Sequence, residues 1–255
     1  DRPAQRNGGK TMPALKPYSQ ELEYSYAPGL FPSLELMRVQ PERALRLLTS
    51  EKAHGEGVEK LRAICREHNV REEVADKALR RISGKENCFA AMVFSKWQAE
   101  LRPDRPHVVL HHPMDEGNLG TIQRTLLGLG LKDIAVIRPA ADVFEPHVVR
   151  AAMGAVFSLR VKQYDSFEEY RREYPDHALY PFMLDGSMLL EDAVRQRKAL
   201  YALVFGNEGS GLPPEFSKLG QAVRIPHSGE IDSLNLSIAV GIGAYAFVHA
   251  PEKGE

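Results

Sequence analysis

Apolar positions along the second half of the chain alternate between two periods. Short β-branched or aliphatic runs predict strands at 107–112, 133–138, 157–162, 178–184, 200–205 and 222–226. Helical spacing predicts helices at 118–129, 146–152, 167–174, 188–197 and 234–248. Ser166 followed by Glu169 forms a capping box that supports one of these helix starts. Strands alternating with helices call for an α/β fold with a parallel sheet covered on both faces. Upstream, residues 23–100 read as a smaller α/β unit, with helices at 32–39, 57–68 and 72–82 and strands at 45–49 and 88–94. Glu100 to Pro106 holds two prolines and four charges and reads as a linker to a second unit at 106–250. Residues 1–22 lack the apolar centre of a signal peptide and read as a disordered leader.

Composition narrows the class. The 255 residues are 43% hydrophobic with a net charge of −1, as expected of an ordinary soluble protein. The most apolar stretch, Leu234 to Ala250, is interrupted by Asn235, Ser237 and His249, which excludes a membrane helix of ~18 residues. Cys65 and Cys88 have no partners at metal-ligand spacing, so reduced thiols in a cytoplasmic protein are expected, with neither a disulfide framework nor a metal site. Charge is uneven: residues 1–105 carry 19 Lys and Arg against 15 Asp and Glu. Lys60, Arg62, Arg66, Arg71, Lys77, Arg80, Arg81 and Lys85 gather there, either as a solvated face or as the footprint of a polyanion.

Three loops carry the chemistry, because ligands of parallel sheets bind beyond the carboxyl ends of the strands. Asp115 to Arg124 follows the strand at 107–112 and opens a helix. Its Asn118, expected at the helix cap, and Arg124, six residues on, could reach one phosphodiester from different sides. Phe205-Gly-Asn-Glu-Gly-Ser-Gly-Leu-Pro213 spaces Gly206 and Gly211 as a P-loop does, but Leu212 and Pro213 replace the Lys and Ser/Thr that an NTPase needs. Its glycine order is not that of a dinucleotide fingerprint either, which leaves a backbone-rich wall holding one carboxylate, Glu208. Ile225 to Asn235 leads into a helix rich in small residues, with Ser233 and Asn235 as capping candidates.

Taken in order, Asn118-x-Gly-x-x-x-Arg124-Thr, Phe205-Gly-Asn-Glu-Gly-x-Gly-Leu and Ile225-Pro-x-x-Gly-x-x-x-Ser-Leu-Asn235-x-Ser-x-Ala resemble the three signature motifs of the SpoU/TrmH family of SPOUT RNA 2′-O-ribose methyltransferases. Arg150-Ala-Ala-Met-Gly-Ala155 is similar to a further family segment, and Lys85-Glu-Asn-Cys-Phe89 lies in a region similar to the ribosomal-protein-like substrate-binding domain of many members. Leu126 and His227 depart from the common Ala and Met. The resemblance implies a SPOUT domain with a deep trefoil knot behind a small α/β substrate-binding domain, a homodimer, S-adenosylmethionine as cofactor and RNA as substrate, ribosomal RNA before transfer RNA. It further implies that Leu184, Gly206, Ile225 and Leu234 hold the cofactor, while Asn118, Arg124, Glu208, Ser233 and Asn235 build the reaction site. Family mechanisms make Arg124 the general base. A guanidinium, which holds its proton far above neutral pH, is better suited to clamping a phosphate and stabilising the developing oxyanion.

Overall fold

In the computed structural model, which describes residues 15–84 and 87–251, the chain builds two main sheets. The first contains β1 (Tyr24–Pro28), β2 (Ala44–Thr49), β3 (Glu72–Val74) and β4 (Ala90–Ser95) in the order β1-β4-β2-β3. It is accompanied by α1 (Leu30–Val39), α2 (Glu56–Glu67) and α3 (Asp76–Ser83). All five residues of β1 are buried, although Tyr-Ser-Tyr-Ala-Pro lacks a clear alternation and predicted nothing. Its Ser25 is made acceptable inside by a hydrogen bond to the Phe144 carbonyl. The helix expected over 72–82 begins only at Asp76. Before it, Glu72 and Glu73 are drawn into an edge strand by Thr49 and Arg46 on the neighbouring β2, at 2.7 Å each.

The second sheet is wholly parallel, in the order β7-β6-β5-β10-β8. The chain passes through β5 (His107–His111), α4 (Glu116–Gly128), β6 (Asp133–Ile137), α5 (Pro146–Ala151), β7 (Arg160–Tyr164), α6 (Phe167–Glu173) and β8 (Ala178–Pro181). It continues through β9 (Met188–Leu189), α7 (Leu190–Arg195), β10 (Tyr201–Phe205), β11 (Val223–Arg224) and α8 (Leu236–Val248). Successive strand residues face opposite ways: Val108 and Leu110 pack under α4 and α8, whereas Val109 packs with Tyr170 of α6. Burial on both faces explains why the central strands β5, β6 and β10 read as apolar runs.

Two expected strands differ. The run at 157–162 is split, because Val156 and Phe157 sit in a 3₁₀ turn and pack on the first sheet while β7 starts at Arg160. The strand expected at 222–226 is shorter and pairs with β9 instead of extending the large sheet.

Neither the leader nor the linker is loose in its described part. Residues 1–14 lie outside the described residues. In contrast to the expected disorder, Leu15, Tyr18 and Leu22 pack against the first sheet, and Tyr18 donates a hydrogen bond to Asp142. In the linker, Leu101 is buried and its carbonyl accepts from Tyr174 Oη at 3.0 Å. The N–H of Arg102 donates to Asp133 at 2.8 Å.

Two histidines complete this strap. His107 Nε2 lies 2.8 Å from the Arg102 carbonyl, which can only accept, so Nε2 carries the proton and Nδ1 accepts from Tyr170 Oη at 2.9 Å. His177 stacks on His107 at 3.9 Å and donates to the Arg105 carbonyl at 2.7 Å. Burial pushes the His107 pKa down to about 4, so the folded state holds it neutral. The unfolded chain therefore takes up this proton first. Stability is full above about pH 6.5 and falls as pH drops towards 4, by up to about 3 kcal/mol. Thermal unfolding between pH 7 and 4.5 should show this loss, with a smaller loss in His107→Gln. Equal acid sensitivity in both proteins would remove the histidine from the account.

Candidate active site

The large sheet changes direction between β5 and β10. From β5 the chain moves outward to β6 and β7, while β10 and β8 lie on the other side. A ligand cleft is expected beyond the carboxyl ends of the strands at such a switch point. A cavity of about 300 Å³ lies there, bounded by the loops after β8 and β10 and by the segment between β11 and α8. Leu184, Gly206, Ile225 and Leu234, the four positions expected to hold a cofactor, all line it. Glu208 and Ser233 line it too, whereas Asn118, Arg124 and Asn235 do not.

Local chemistry shapes each wall. Asn207 organises the glycine-rich loop as an Asx turn: its Oδ1 accepts from the N–H groups of Gly209 and Ser210 at 2.9 and 3.1 Å. Its Nδ2 donates to the His112 carbonyl at 2.9 Å, tying the loop to the end of β5. Gly206 is required by close approach, because a Cβ there would stand 2.2 Å from the Gly211 carbonyl carbon. The Glu208 carboxylate accepts from the backbone N–H of Met114 at 3.0 Å and of Asp115 at 2.9 Å. It thus holds the loop that starts α4, with both oxygens engaged by backbone donors.

Asp115, and not Asn118, caps α4: its Oδ1 accepts from the Asn118 N–H at 2.7 Å. The Asp-Glu pair before Gly117 is the signal that could have placed this cap. Capping by Asp115 releases the Asn118 side chain, whose Oδ1 accepts from Asn235 Nδ2 at 3.2 Å. Asn235 caps α8, accepting from Ser237 N–H at 2.9 Å and Ile238 N–H at 3.3 Å. The first and third motifs therefore meet through one amide pair. Arg124, two turns along α4, is exposed and makes no hydrogen bond or ion pair among the described residues.

Sequence reasoning missed the organising role of Asn207, although Asn beside glycines is an Asx-turn signal. It also did not anticipate that Phe182 and Asp185 line the cavity. His227 lies in the same wall with Nδ1 2.8 Å from the Ser228 carbonyl. Burial, with His112 alongside, lowers the His111 pKa to about 4, so it adds no positive charge at the end of β5 near neutral pH. Among the described residues, no group of three or more His, Cys, Asp or Glu is placed to hold a metal ion. A cavity of this size, walled by backbone turns and apolar side chains with a few polar groups, suits a small organic molecule.

The comparisons with known proteins agree with this geometry. The profile of the SpoU rRNA Methylase family matches residues 105–245, and the chain belongs to that family. It is 25% identical over 249 residues to the 23S rRNA (guanosine-2′-O-)-methyltransferase RlmB of Acinetobacter baylyi, covering 88% of this chain and 95% of that protein. An uncharacterised tRNA/rRNA methyltransferase of Synechocystis is 29% identical over 158 residues, 58% of this chain and 55% of that protein's length. The crystal structure of an AdoMet-bound rRNA methyltransferase from Sinorhizobium meliloti superimposes with a TM-score of 0.75 at 26% identity, covering 88% of this chain and 87% of that one.

Proposed function

We propose that the protein is an S-adenosylmethionine-dependent methyltransferase acting on a ribose 2′-hydroxyl of RNA, with ribosomal RNA as the substrate class. The observation that carries this reading is the Asn118–Asn235 bond. It joins the segment whose Ser233 and Leu234 line the cavity to the helix that bears the uncommitted Arg124. The rRNA-named relative that aligns over most of both chains favours ribosomal RNA.

S-adenosylmethionine, when bound, supplies a methyl group already activated on a sulfonium. The protein's task is to align a weak nucleophile and stabilise the charge that develops on its oxygen. Leu184, Gly206, Ile225 and Leu234 hold the cofactor. Arg124 clamps the phosphate beside the ribose and stabilises the charge that develops on the 2′-oxygen as its proton passes to water. Asn118 and Asn235 orient the ribose, Ser233 fixes the cofactor loop, and Glu208 acts through the loop ahead of α4.

Three further features belong to this reading. The segment from β8 to α8 forms the trefoil knot, supported by close backbone crossings: a Cβ at Gly186 would meet the Val223 carbonyl carbon at 2.6 Å. The first sheet is a ribosomal-protein-like RNA-binding unit within residues 23–100, ahead of the catalytic unit at 106–250. It is supported by Arg66, Arg71, Arg80 and Arg81, which form no salt bridge among the described residues, whereas Arg62 is held by Glu59 and Glu72. Lys85 and Glu86 of the family-like stretch lie outside the described residues. The protein acts as a cytoplasmic homodimer, supported by its two free buried cysteines and by Ile238, Ile242 and Tyr245, which leave an exposed apolar stripe on α8.

The test is transfer of labelled methyl from S-adenosylmethionine to total RNA of a host lacking the gene, followed by mapping of 2′-O-methyl sites and sedimentation of the purified protein. Label should enter ribosomal RNA from a protein of twice the monomer mass. Label confined to transfer RNA would move the substrate, and no incorporation into any RNA would overturn the activity.

A further inference from the structure

The end of the large sheet opposite the cavity carries a cleft of its own. It has a volume of about 680 Å³ and lies where β6, β7 and β10 begin, beside the residues that precede β5. Arg102, Arg105, Lys132, Arg160 and Arg197 line it, with Asp133 as the one lining carboxylate among the described residues.

That carboxylate is already engaged. Asp133 is buried and accepts from Arg160 Nε and Nη2 at 2.7 Å each and from the Arg102 N–H at 2.8 Å. Arg102 pairs outside the lining set with Asp104. Arg105, Lys132 and Arg197 have no carboxylate partner among the described residues. Arg197 is also half-buried, and its Nε is shielded from solvent with no hydrogen-bond partner. Three cations without a carboxylate around one concavity repel each other unless an anion enters, Arg197 having only the Ala250 carbonyl, which accepts from its Nη2 at 3.4 Å. Planar guanidinium forks with an ammonium match the oxygens of phosphate groups.

We propose that this cleft is a second anion site, selective for linked phosphates, either the backbone of an RNA segment or a free oligophosphate. Strands of five residues span about 16 Å, so a phosphate here is not the one beside the reacting ribose. An RNA filling both sites would have to continue around the end of the sheet. The assignment of RNA as occupant rests on the methyltransferase reading, whereas the anion site does not.

Inorganic tripolyphosphate is the probe, titrated into the full-length protein at low ionic strength. Two variants are compared: Arg105→Ser with Lys132→Ser, both exposed and safe for folding, and Arg197→Gln. Tripolyphosphate should bind the parent protein and lose tenfold or more in affinity in each variant, with S-adenosylmethionine binding unaltered. RNA affinity measured across salt then identifies the source. A slope shallower by about 0.7 for each phosphate contact removed assigns the cleft to RNA, and an unchanged slope assigns it to free oligophosphate. Failure of tripolyphosphate to bind, or equal binding by parent and variants, overturns the site even if methyl transfer is confirmed.

Discussion

Arg124→Ala should lower the rate of methyl transfer ~100–1,000-fold, the usual loss when a preorganised transition-state contact is removed, and leave S-adenosylmethionine affinity nearly unchanged. The split follows from position: Arg124 is absent from the cavity wall and exposed on α4. Because no carboxylate holds it among the described residues, its removal leaves no buried charge behind, and stability should hardly change. Arg124→Lys distinguishes the two chemical roles. Lysine keeps the charge but loses the planar fork, and its pKa is more readily tuned. A phosphate clamp predicts failure of the lysine variant at every pH. A general base predicts retained activity with the pH profile moved down. Single-turnover rates with isothermal titration of the cofactor make both comparisons, and full activity of Arg124→Ala would take this residue out of the reaction site.

Gly206→Ala should damage cofactor binding from within the cavity wall. The added Cβ would lie 2.2 Å from the Gly211 carbonyl carbon and 2.3 Å from the Leu212 nitrogen. Both obstructing atoms are backbone, so relief requires the loop to move, and with it the Asx turn of Asn207. Overpacking of this kind costs about 1–3 kcal/mol. Borne by the bound state, about 1.4 kcal/mol of it lowers S-adenosylmethionine affinity about 10-fold; the part borne by the free fold lowers Tm by several degrees instead. Gly128→Ala is the control: it lies in the last turn of α4 with nothing within 4 Å of the added methyl. Wild-type affinity in Gly206→Ala would show that the loop does not shape the site.

The large sheet was legible because its central strands β5, β6 and β10 are buried on both faces and read as short apolar runs, separated by stretches of helical length. The first sheet was less so. In β1 a buried serine is satisfied by a carbonyl 119 residues away, and in β3 two glutamates are held by cross-strand partners. Neither contact has a local signature. At the site, the three motif loops were visible from their glycines and polar spacing, whereas their division of labour was not. The cap assigned to Asn118 belongs to Asp115, and Glu208 spends its carboxylate on backbone N–H groups. Such roles depend on which loops meet at the end of a sheet, which no single loop encodes.

The seam between the two sheets has a consequence for how the molecule comes apart. Phe94 of β4 packs edge-on against Phe157 with centroids 5.0 Å apart, and Trp97 against Phe144 at 4.9 Å. Met37, Val149 and Val156 belong to the same core, and the strap at 101–105 is fastened at both ends. Neither sheet can be stripped away without wetting aromatic surface on the other. The two halves are therefore coupled as one cooperative unit rather than as independent foldons. A cavity opened at Phe94, far from the cleft in sequence, draws on the same reserve of stability that keeps the cofactor loops in place.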